Sequence, residues 1–118
     1  MALNLQGGPT YIGNYVDSPV IVFPERDEFV KQPMFYALAH FTKFLPRNSR
    51  RIRVVRKKPV SLNNYTDVAF LTPRDTIVVI LQNTGSKCKI AIQVDDKEAI
   101  VDLDAQSFTT VEFPYKLP

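Results

Sequence analysis

The residues best suited to binding a polar ligand stand near the N-terminus, where an amide lies among aromatic side chains. In the stretch GGPTYIGNYVDSPVIV, residues 7–22, Tyr11 and Tyr15 bracket Asn14. Gly7-Gly8-Pro9 turns the chain, and Asp17-Ser18-Pro19 leads into an apolar run. A loop that combines amide and aromatic side chains is typical of a pocket lining. A pocket also needs walls, and this short chain has few elements from which to build them.

The acidic residues and the single histidine form no recognisable catalytic set. The four glutamates, Glu25, Glu28, Glu98 and Glu112, are scattered along the chain, and no spacing marks two of them as a pair. The sequence has no nucleophile elbow, P-loop, dinucleotide fingerprint or zincin motif. His40 falls within an apolar helical pattern, so we expect a structural, hydrogen-bonded histidine. By itself the chain shows no catalytic apparatus.

Metal and cofactor sites are not expected either. Cys88 is the only cysteine and His40 the only histidine, which excludes an internal disulfide and argues against a His/Cys metal site. Cys88 shares the alternation of Ile90, Ile92 and Val94, so we expect it to be a small buried hydrophobe.

Seven of the fifteen basic residues lie in RNSRRIRVVRKK, residues 47–58. Such a stretch can contact nucleic acid or an anionic surface, or it can form a solvated strand edge that discourages aggregation. No aromatic residues interleave with it, and no nucleic-acid-binding motif accompanies it. We therefore expect no nucleic-acid partner.

The length of 118 residues and mass of 13.5 kDa fit one small domain or a piece of a larger protein. No apolar run reaches the roughly eighteen residues of a membrane span. Residues 1–6 lack the basic flank and apolar stretch of a signal peptide. If the protein is secreted or lysosomal, we expect its targeting signal to lie outside this chain.

A helix is predicted over residues 33–44. Pro33 suits a first helical turn and Pro46 ends the pattern. Phe35 and Tyr36 widen its apolar face, so we expect the helix to be covered on more than one side. Residues at three- and four-residue spacing predict one buried stripe, formed by Met34, Ala37, Leu38, Phe41 and Phe44 or Leu45.

From residue 51 onward the pattern becomes that of short strands, with no helix between them. Residues 72–76 and 83–87 predict hairpin turns, the second with Gly85 as its permissive residue. A longer surface loop is predicted over 57–65, and Asn64 in it fits the N-glycosylation pattern. Successive strands of this kind predict a mainly β protein with an antiparallel sandwich. The strand segments are RIRVV, DVAFLT, TIVVILQN, KCKIAIQV, AIVDLD and SFTTVEF.

Two stretches resemble a known family. ALNLQGGPTYIGNYVDSPVIV and DEFVKQPMFYALAHFTKFLPRNSRRI closely resemble the C-terminal part of the glucosylceramidase (acid β-glucosidase, glucocerebrosidase) family. The likeness is dense over residues 2–52, continues more loosely through TDVAFLTPRDTIVVILQN and fades towards the C-terminus.

The resemblance implies a fold in which a catalytic (β/α)₈ barrel is joined to an immunoglobulin-like β-sandwich. Residues 1–49 would then be the end of the barrel, with an active-site loop at 7–19 and the last barrel helix at 33–44. Residues 50–118 would be the C-terminal strands of the sandwich. The rest of the barrel and the N-terminal sandwich strands would come from chain upstream of residue 1.

The resemblance also implies retaining hydrolysis of glucosylceramide to glucose and ceramide by two glutamates. Both would lie upstream of residue 1, and none of the four glutamates here matches them, so the isolated chain is predicted to be inactive. Asn14 matches a family asparagine that hydrogen-bonds glucose hydroxyls. Tyr15 matches a position that is usually Phe, and Tyr11 matches a family Trp. Alternatively, the two tyrosines only pack the loop.

The partners implied by the resemblance are a β-glucoside, an activator protein and an anionic membrane surface that the basic stretch would contact. The implied location is lysosomal or secretory. The alternative function is a non-catalytic sandwich module that binds carbohydrate, a lipid surface or a protein. The two readings differ in exposed surface: a fragment should expose an apolar helix face and open sheet edges, whereas a module should be monomeric and unfold cooperatively.

Overall fold

The computed structural model describes residues 1–57 and 64–116. Its chain divides into two compact units, Met1–Ala39 and His40–Pro118. Among the described residues, no helix has the length and apolarity that crossing a membrane requires.

The first unit contains a small mixed sheet. Strand β1 (Ala2–Leu3) pairs in parallel with β2 (Val20–Phe23), and β2 pairs antiparallel with β3 (Glu28–Lys31). A 3-10 turn at Pro24–Arg26 joins β2 to β3. The sequence pattern predicted neither β2 nor β3, because four residues are too few for a clear alternation and every residue of β3 is exposed.

Helix α1 (Pro33–Phe44) has the bounds that the sequence pattern predicted. The prediction that its apolar stripe is buried is wrong for this chain. Met34 is 43% exposed, Leu38 51% and Phe41 38%, and no residue of the helix is buried. The stripe is therefore largely exposed in this chain.

The last turn of α1 lies in the second unit, where His40 contacts strand β9 (Ser107–Pro114). His40 Nδ1 lies 2.7 Å from Thr110 Oγ1, and its ring stacks on Phe108 with centroids 5.6 Å apart. Ile80, which pairs with Thr110, is buried. His40 is therefore the hydrogen-bonded structural residue that the sequence predicted.

The second unit has two antiparallel sheets. Strands β4 (Arg50–Ile52), β5 (Tyr65–Leu71) and β6 (Thr76–Asn83) form one sheet with β9, in the order β4-β5-β6-β9. Strands β7 (Cys88–Val94) and β8 (Lys97–Leu103) form a separate two-stranded sheet. The predicted hairpin at 72–76 is confirmed, since it joins the paired strands β5 and β6.

The second predicted hairpin, at 83–87, is wrong. Strand β6 pairs with β5 and β9 rather than with β7, so this connection crosses from one sheet to the other. Gly85 does not use a left-handed backbone here; the glycines that do are Gly7 and Gly13. Local sequence predicts that the chain turns at 83–87, but it does not predict whether the next strand pairs with β6. That depends on how the apolar faces of the two sheets are buried against each other.

The core of the second unit lies between its two sheets. Leu81 and Leu103 are 2% and 1% exposed and belong to one cluster with Ala69, Ile77 and Val79. Cys88 packs against this cluster but is only half-buried, so its predicted burial is partial. Residues from β4 to β9 complete the cluster's rim: Ile52, Tyr65, Leu71, Ile90, Ile92, Val94, Val101, Val111 and Phe113, with Tyr115 just beyond.

The segment after β4 is held by polar contacts rather than by strand pairing. The strand predicted over 51–55 ends at Ile52. Arg56 then forms an ion pair with Asp67, whose side chain is 8% exposed. The Arg56 guanidinium also lies 5.6 Å from the centroid of the Tyr65 ring. Most of the loop predicted over 57–65 lies outside the described residues.

Candidate functional site

The loop between β1 and β2 begins with a turn that Asn4 organises. Its Oδ1 accepts hydrogen bonds from Gly8 N at 2.8 Å and from Gln6 N at 3.1 Å. Its backbone N–H donates to Gly8 O at 2.7 Å, and its carbonyl accepts from Gly7 N at 3.0 Å. One amide residue thereby pairs the backbone groups of the whole turn.

Gly7 brings this turn against the far end of the loop. Its φ is +82°, and a Cβ built on it would lie 2.6 Å from Val16 O and 2.9 Å from Val16 N. Both the left-handed backbone and the close approach require glycine.

The tip of the loop is a tight turn closed by the Thr10 hydroxyl. Thr10 Oγ1 accepts from Asn14 N at 3.1 Å and from Ile12 N at 3.4 Å. Gly13 has φ +70° and nothing within 4 Å of the place where a Cβ would stand. The tip is thus ordered by its own hydrogen bonds while it projects into open space.

The C-terminal end of the loop is fixed by Ser18, which is fully buried. Its Oγ lies 2.7 Å from Val20 O and 3.0 Å from Met1 O, and it accepts from Val20 N at 3.2 Å. Gln32 Nε2 donates to Ser18 O at 2.7 Å and to Asp17 Oδ1 at 2.6 Å. The loop is therefore anchored at both ends.

A shallow cleft of about 250 Å³ lies between the two anchored ends. It is smaller than the roughly 300–1,000 Å³ of a typical small-molecule pocket, so in this chain it lacks the walls of a closed site. Its lining consists of Asn4, Leu5, Gln6, Gly7, Tyr15, Val16, Asp17 and Ile21.

Of the three predicted site residues, one lines the cleft and two do not. Tyr15 lines the cleft and is 67% exposed. Tyr11 is fully exposed at the tip, and Asn14 is exposed next to Tyr15; neither lines the cleft. Within residues 1–57 and 64–116, the Asn14 side-chain amide has no hydrogen-bond partner, so its donor and acceptor are available.

Three of the four glutamates lie in ion pairs, and Glu98 has no ion-pair partner within residues 1–57 and 64–116. Arg26 Nε lies 3.9 Å from Glu25 and 3.7 Å from Glu28. Glu112 accepts from Thr76 Oγ1 at 2.9 Å and lies 3.4 Å from Arg74. In the part of the chain that the structure describes, no group of three His, Cys, Asp or Glu side chains is placed to hold a metal ion.

Sequence reasoning missed the residues that build the loop: Asn4, Thr10, Ser18 and Gln32. A signal existed for the first two, because Asn and Thr side chains commonly cap the backbone two to four residues onward, and glycines follow both positions. The hydrogen bonds between Ser18 and Val20 are local, but Met1 O reaches Ser18 only through the β1–β2 pairing. No local signal marks Gln32, since the β2–β3 pairing is what brings it beside Asp17 and Ser18.

Two family models match the chain. The glycosyl hydrolase family 30 TIM-barrel domain matches residues 1–45, and the glycosyl hydrolase family 30 beta sandwich domain matches residues 48–111. This chain belongs to glycosyl hydrolase family 30. The expected architecture, an end of a barrel followed by an antiparallel sandwich, is confirmed by these matches.

Curated relatives of this family 30 chain are glucosylceramidases. Lysosomal acid glucosylceramidase of Mus musculus is 45% identical over 87 residues, which cover 74% of this chain and 16% of the mouse protein. Putative glucosylceramidase 2 of Caenorhabditis elegans is 38% identical over 96 residues, 81% of this chain and 18% of that protein. The chain thus spans less than a fifth of either relative.

Solved structures share the fold of this family 30 chain. SrfJ from Salmonella typhimurium superimposes on 98% of the chain with a TM-score of 0.86 and 21% identity, and the match covers 25% of SrfJ. An endo-beta1,6-glucanase matches 96% of the chain with a TM-score of 0.81 and 19% identity, again over 25% of its own length.

Proposed function

We propose that this chain is the C-terminal part of a retaining β-glucosidase that hydrolyses glucosylceramide to glucose and ceramide. The observation that carries the proposal is the 45% identity to the mouse lysosomal acid glucosylceramidase, which comes with family 30 matches over both parts of the chain. We place the protein in the lysosome or secretory pathway on the name of the same relative.

In this proposal the chain supplies binding groups and no catalytic carboxylate. Retaining hydrolysis needs two carboxyl groups about 5 Å apart, on opposite sides of the scissile bond. Among the glutamates, Glu25 and Glu28 share Arg26 at the surface and Glu112 is bound by Thr76 and Arg74. Both catalytic glutamates would lie upstream of this chain, which would be inactive when isolated.

The loop at residues 7–19 would form part of the glucose pocket. The Asn14 amide would donate to one sugar hydroxyl and accept from another. The rings of Tyr15 and Tyr11 would provide an apolar wall, which the upstream barrel would close into a pocket. The anchored loop ends support this role, because a binding group must be held in place before the sugar arrives.

Substitution in the native protein tests this assignment. Asn14→Ala is expected to lower kcat/KM for an aryl β-glucoside roughly tenfold, the loss of a hydrogen bond to substrate. Tyr15→Ala should also lower kcat/KM, whereas Tyr15→Phe should retain it because the ring remains. Full activity in Asn14→Ala, with an unchanged unfolding temperature, would rule out its role at the sugar.

A contact of the basic stretch with an anionic membrane belongs to the same proposal. Arg50, Arg51 and Arg53 are exposed, and none of them has an ion-pair partner among the described residues. Arg56, in contrast, is committed to Asp67. No surface of the chain is assigned to an activator protein.

Charge reversal tests the membrane contact. Changing Arg50, Arg51 and Arg53 to Glu should weaken binding of the native protein to vesicles of anionic phospholipid, since exposed basic residues near such a surface contribute about 1 kcal/mol each. The matched control reverses the same number of exposed basic residues elsewhere in the second unit, Lys87, Lys89 and Lys97. Equal binding by both variants would remove the basic stretch from the proposal.

A further inference from the structure

Asn64 immediately precedes β5 in the tripeptide Asn64-Tyr65-Thr66, the one Asn-x-Ser/Thr sequence in the chain. This pattern is the acceptor for N-linked glycans, which are bulky and therefore require a surface position. The structure shows whether this particular asparagine has such a position.

Asn64 is exposed, and its side chain is uncommitted. Its backbone carbonyl accepts from Thr84 N at 2.7 Å and from Thr84 Oγ1 at 2.9 Å. Its side-chain amide has no hydrogen-bond partner within the described residues. The backbone at Asn64 is thus fixed by Thr84, while Nδ2 is available for modification.

The residues that follow Asn64 are oriented so that Asn64 itself remains at the surface. The Tyr65 ring packs against the sandwich core and under the Arg56 guanidinium. Thr66 is exposed, and its hydroxyl contacts only Gln82 Oε1 at 3.3 Å among the described residues. Because Tyr65 is held inward, modification of Asn64 requires no rearrangement of the core.

The Asn64 side chain lies directly over Gly85 in the β6–β7 connection. A Cβ built on Gly85 would lie 2.7 Å from Asn64 Nδ2 and 2.8 Å from its Cβ. Any side chain at position 85 would therefore collide with Asn64, and the absence of one lets the amide lie over the β6–β7 connection.

We propose that Asn64 carries an N-linked glycan in the native protein, and that the glycan covers the β6–β7 end of the sandwich. An oligosaccharide linked to a lipid diphosphate would supply the sugar. The bond between its first carbon and the phosphate oxygen breaks, a carbon–nitrogen bond forms to Nδ2, one amide proton is released, and the lipid diphosphate leaves. The proposal rests on the lysosomal or secretory location proposed above.

Peptide mass spectrometry of the native protein tests the proposal. The protein, purified from its source with an antibody against this chain, is denatured and treated with peptide N-glycosidase in heavy-oxygen water. Asn64 is expected to become an Asp that carries the heavy label, whereas a parallel sample kept in the same heavy-oxygen water without the enzyme should show no such conversion. The comparison separates glycan release from spontaneous deamidation. A peptide with unmodified Asn64 in the mature protein would overturn the proposal.

Matched variants at the third position of the sequence identify the site. Thr66→Ala should abolish the modification, whereas Thr66→Ser should retain it because a hydroxyl remains. Hydrolysis of glucosylceramide is measured on the same preparations. An active protein with a bare Asn64 overturns the glycan alone, whereas a glycosylated protein without activity overturns the enzymatic proposal alone.

Discussion

At the scale of single residues, the loop at 7–19 is held by polar side chains that pair backbone groups, with little packed core beneath it. Asn4 and Ser18 each bind several backbone groups at the two ends of the loop. Such contacts fix a loop at the surface, where apolar burial is small. The exposed Asn14 can therefore be positioned by residues that do not themselves contact a ligand.

Substitution of two glycines in this loop can distinguish the cost of a left-handed backbone from the cost of steric overlap. Gly7 and Gly13 both have positive φ, but only Gly7 lies against another segment, at Val16. Gly13→Ala should cost about 1 kcal/mol, the penalty of a left-handed alanine. Gly7→Ala should cost clearly more, because its Cβ would overlap the Val16 backbone.

The thermal unfolding temperature of the native protein, measured for both variants, checks this order. Gly7→Ala should also lower kcat/KM by displacing the loop, whereas Gly13→Ala should affect it less. Equal destabilisation by the two substitutions would show that the contact between Gly7 and Val16 does not matter.

At the scale of elements, helix α1 carries an apolar stripe that is largely exposed in this chain. Met34, Leu38 and Phe41 recur at helical spacing and all three are more than a third exposed. The sequence predicted the helical spacing of the stripe, but it did not predict which segment would pack against it. An open stripe of this kind is typical of an element that packs against further chain.

Substitution on the stripe tests whether it is covered in the native protein. Leu38→Ser is expected to lower the free energy of unfolding of the native protein by about 2 kcal/mol or more, the usual cost of removing a buried leucine side chain. Lys43→Ser, in the same helix, should change it by about 0.5 kcal/mol or less. Chemical denaturation of both variants measures the difference, and similar small losses would mean that the stripe is solvated.

In the sheets, too, local sequence predicts the strands better than their pairing partners. Five of the six strand segments predicted after residue 50 appear with bounds close to those expected, because alternation and β-branched residues mark them. The exception is β4, which ends at Ile52. The crossing from β6 to β7 was not readable, since pairing partners depend on which apolar faces meet.

At the scale of the whole molecule, the second unit has a compact core but open edges. Among the described residues, its smaller sheet consists of β7 and β8, and the larger one ends at β4 and β9. Unpaired strand edges and an exposed apolar stripe both favour association. The well-packed core around Leu81 and Leu103 is the observation that favours the alternative, a self-sufficient sandwich module.

The isolated 118-residue chain is expected to self-associate and to hydrolyse no glucosylceramide. Sedimentation velocity over a dilution series measures its association, and glucose release from glucosylceramide vesicles measures activity. A monomer that unfolds in one cooperative transition would favour the module. The mass of the native protein is the matching control, because a barrel of about 250 residues requires a much longer chain.

The sequence by itself determined the helix, most strands, the structural role of His40 and the family resemblance, because each depends on residue type and local spacing. The tertiary structure decided that β6 and β7 lie in different sheets, that Ser18 and Gln32 fix the loop, and that Tyr15 alone of the three candidates lines the cleft. These depend on segments distant along the chain, whose meeting is set by burial of apolar faces and pairing of backbone groups rather than by neighbours in sequence.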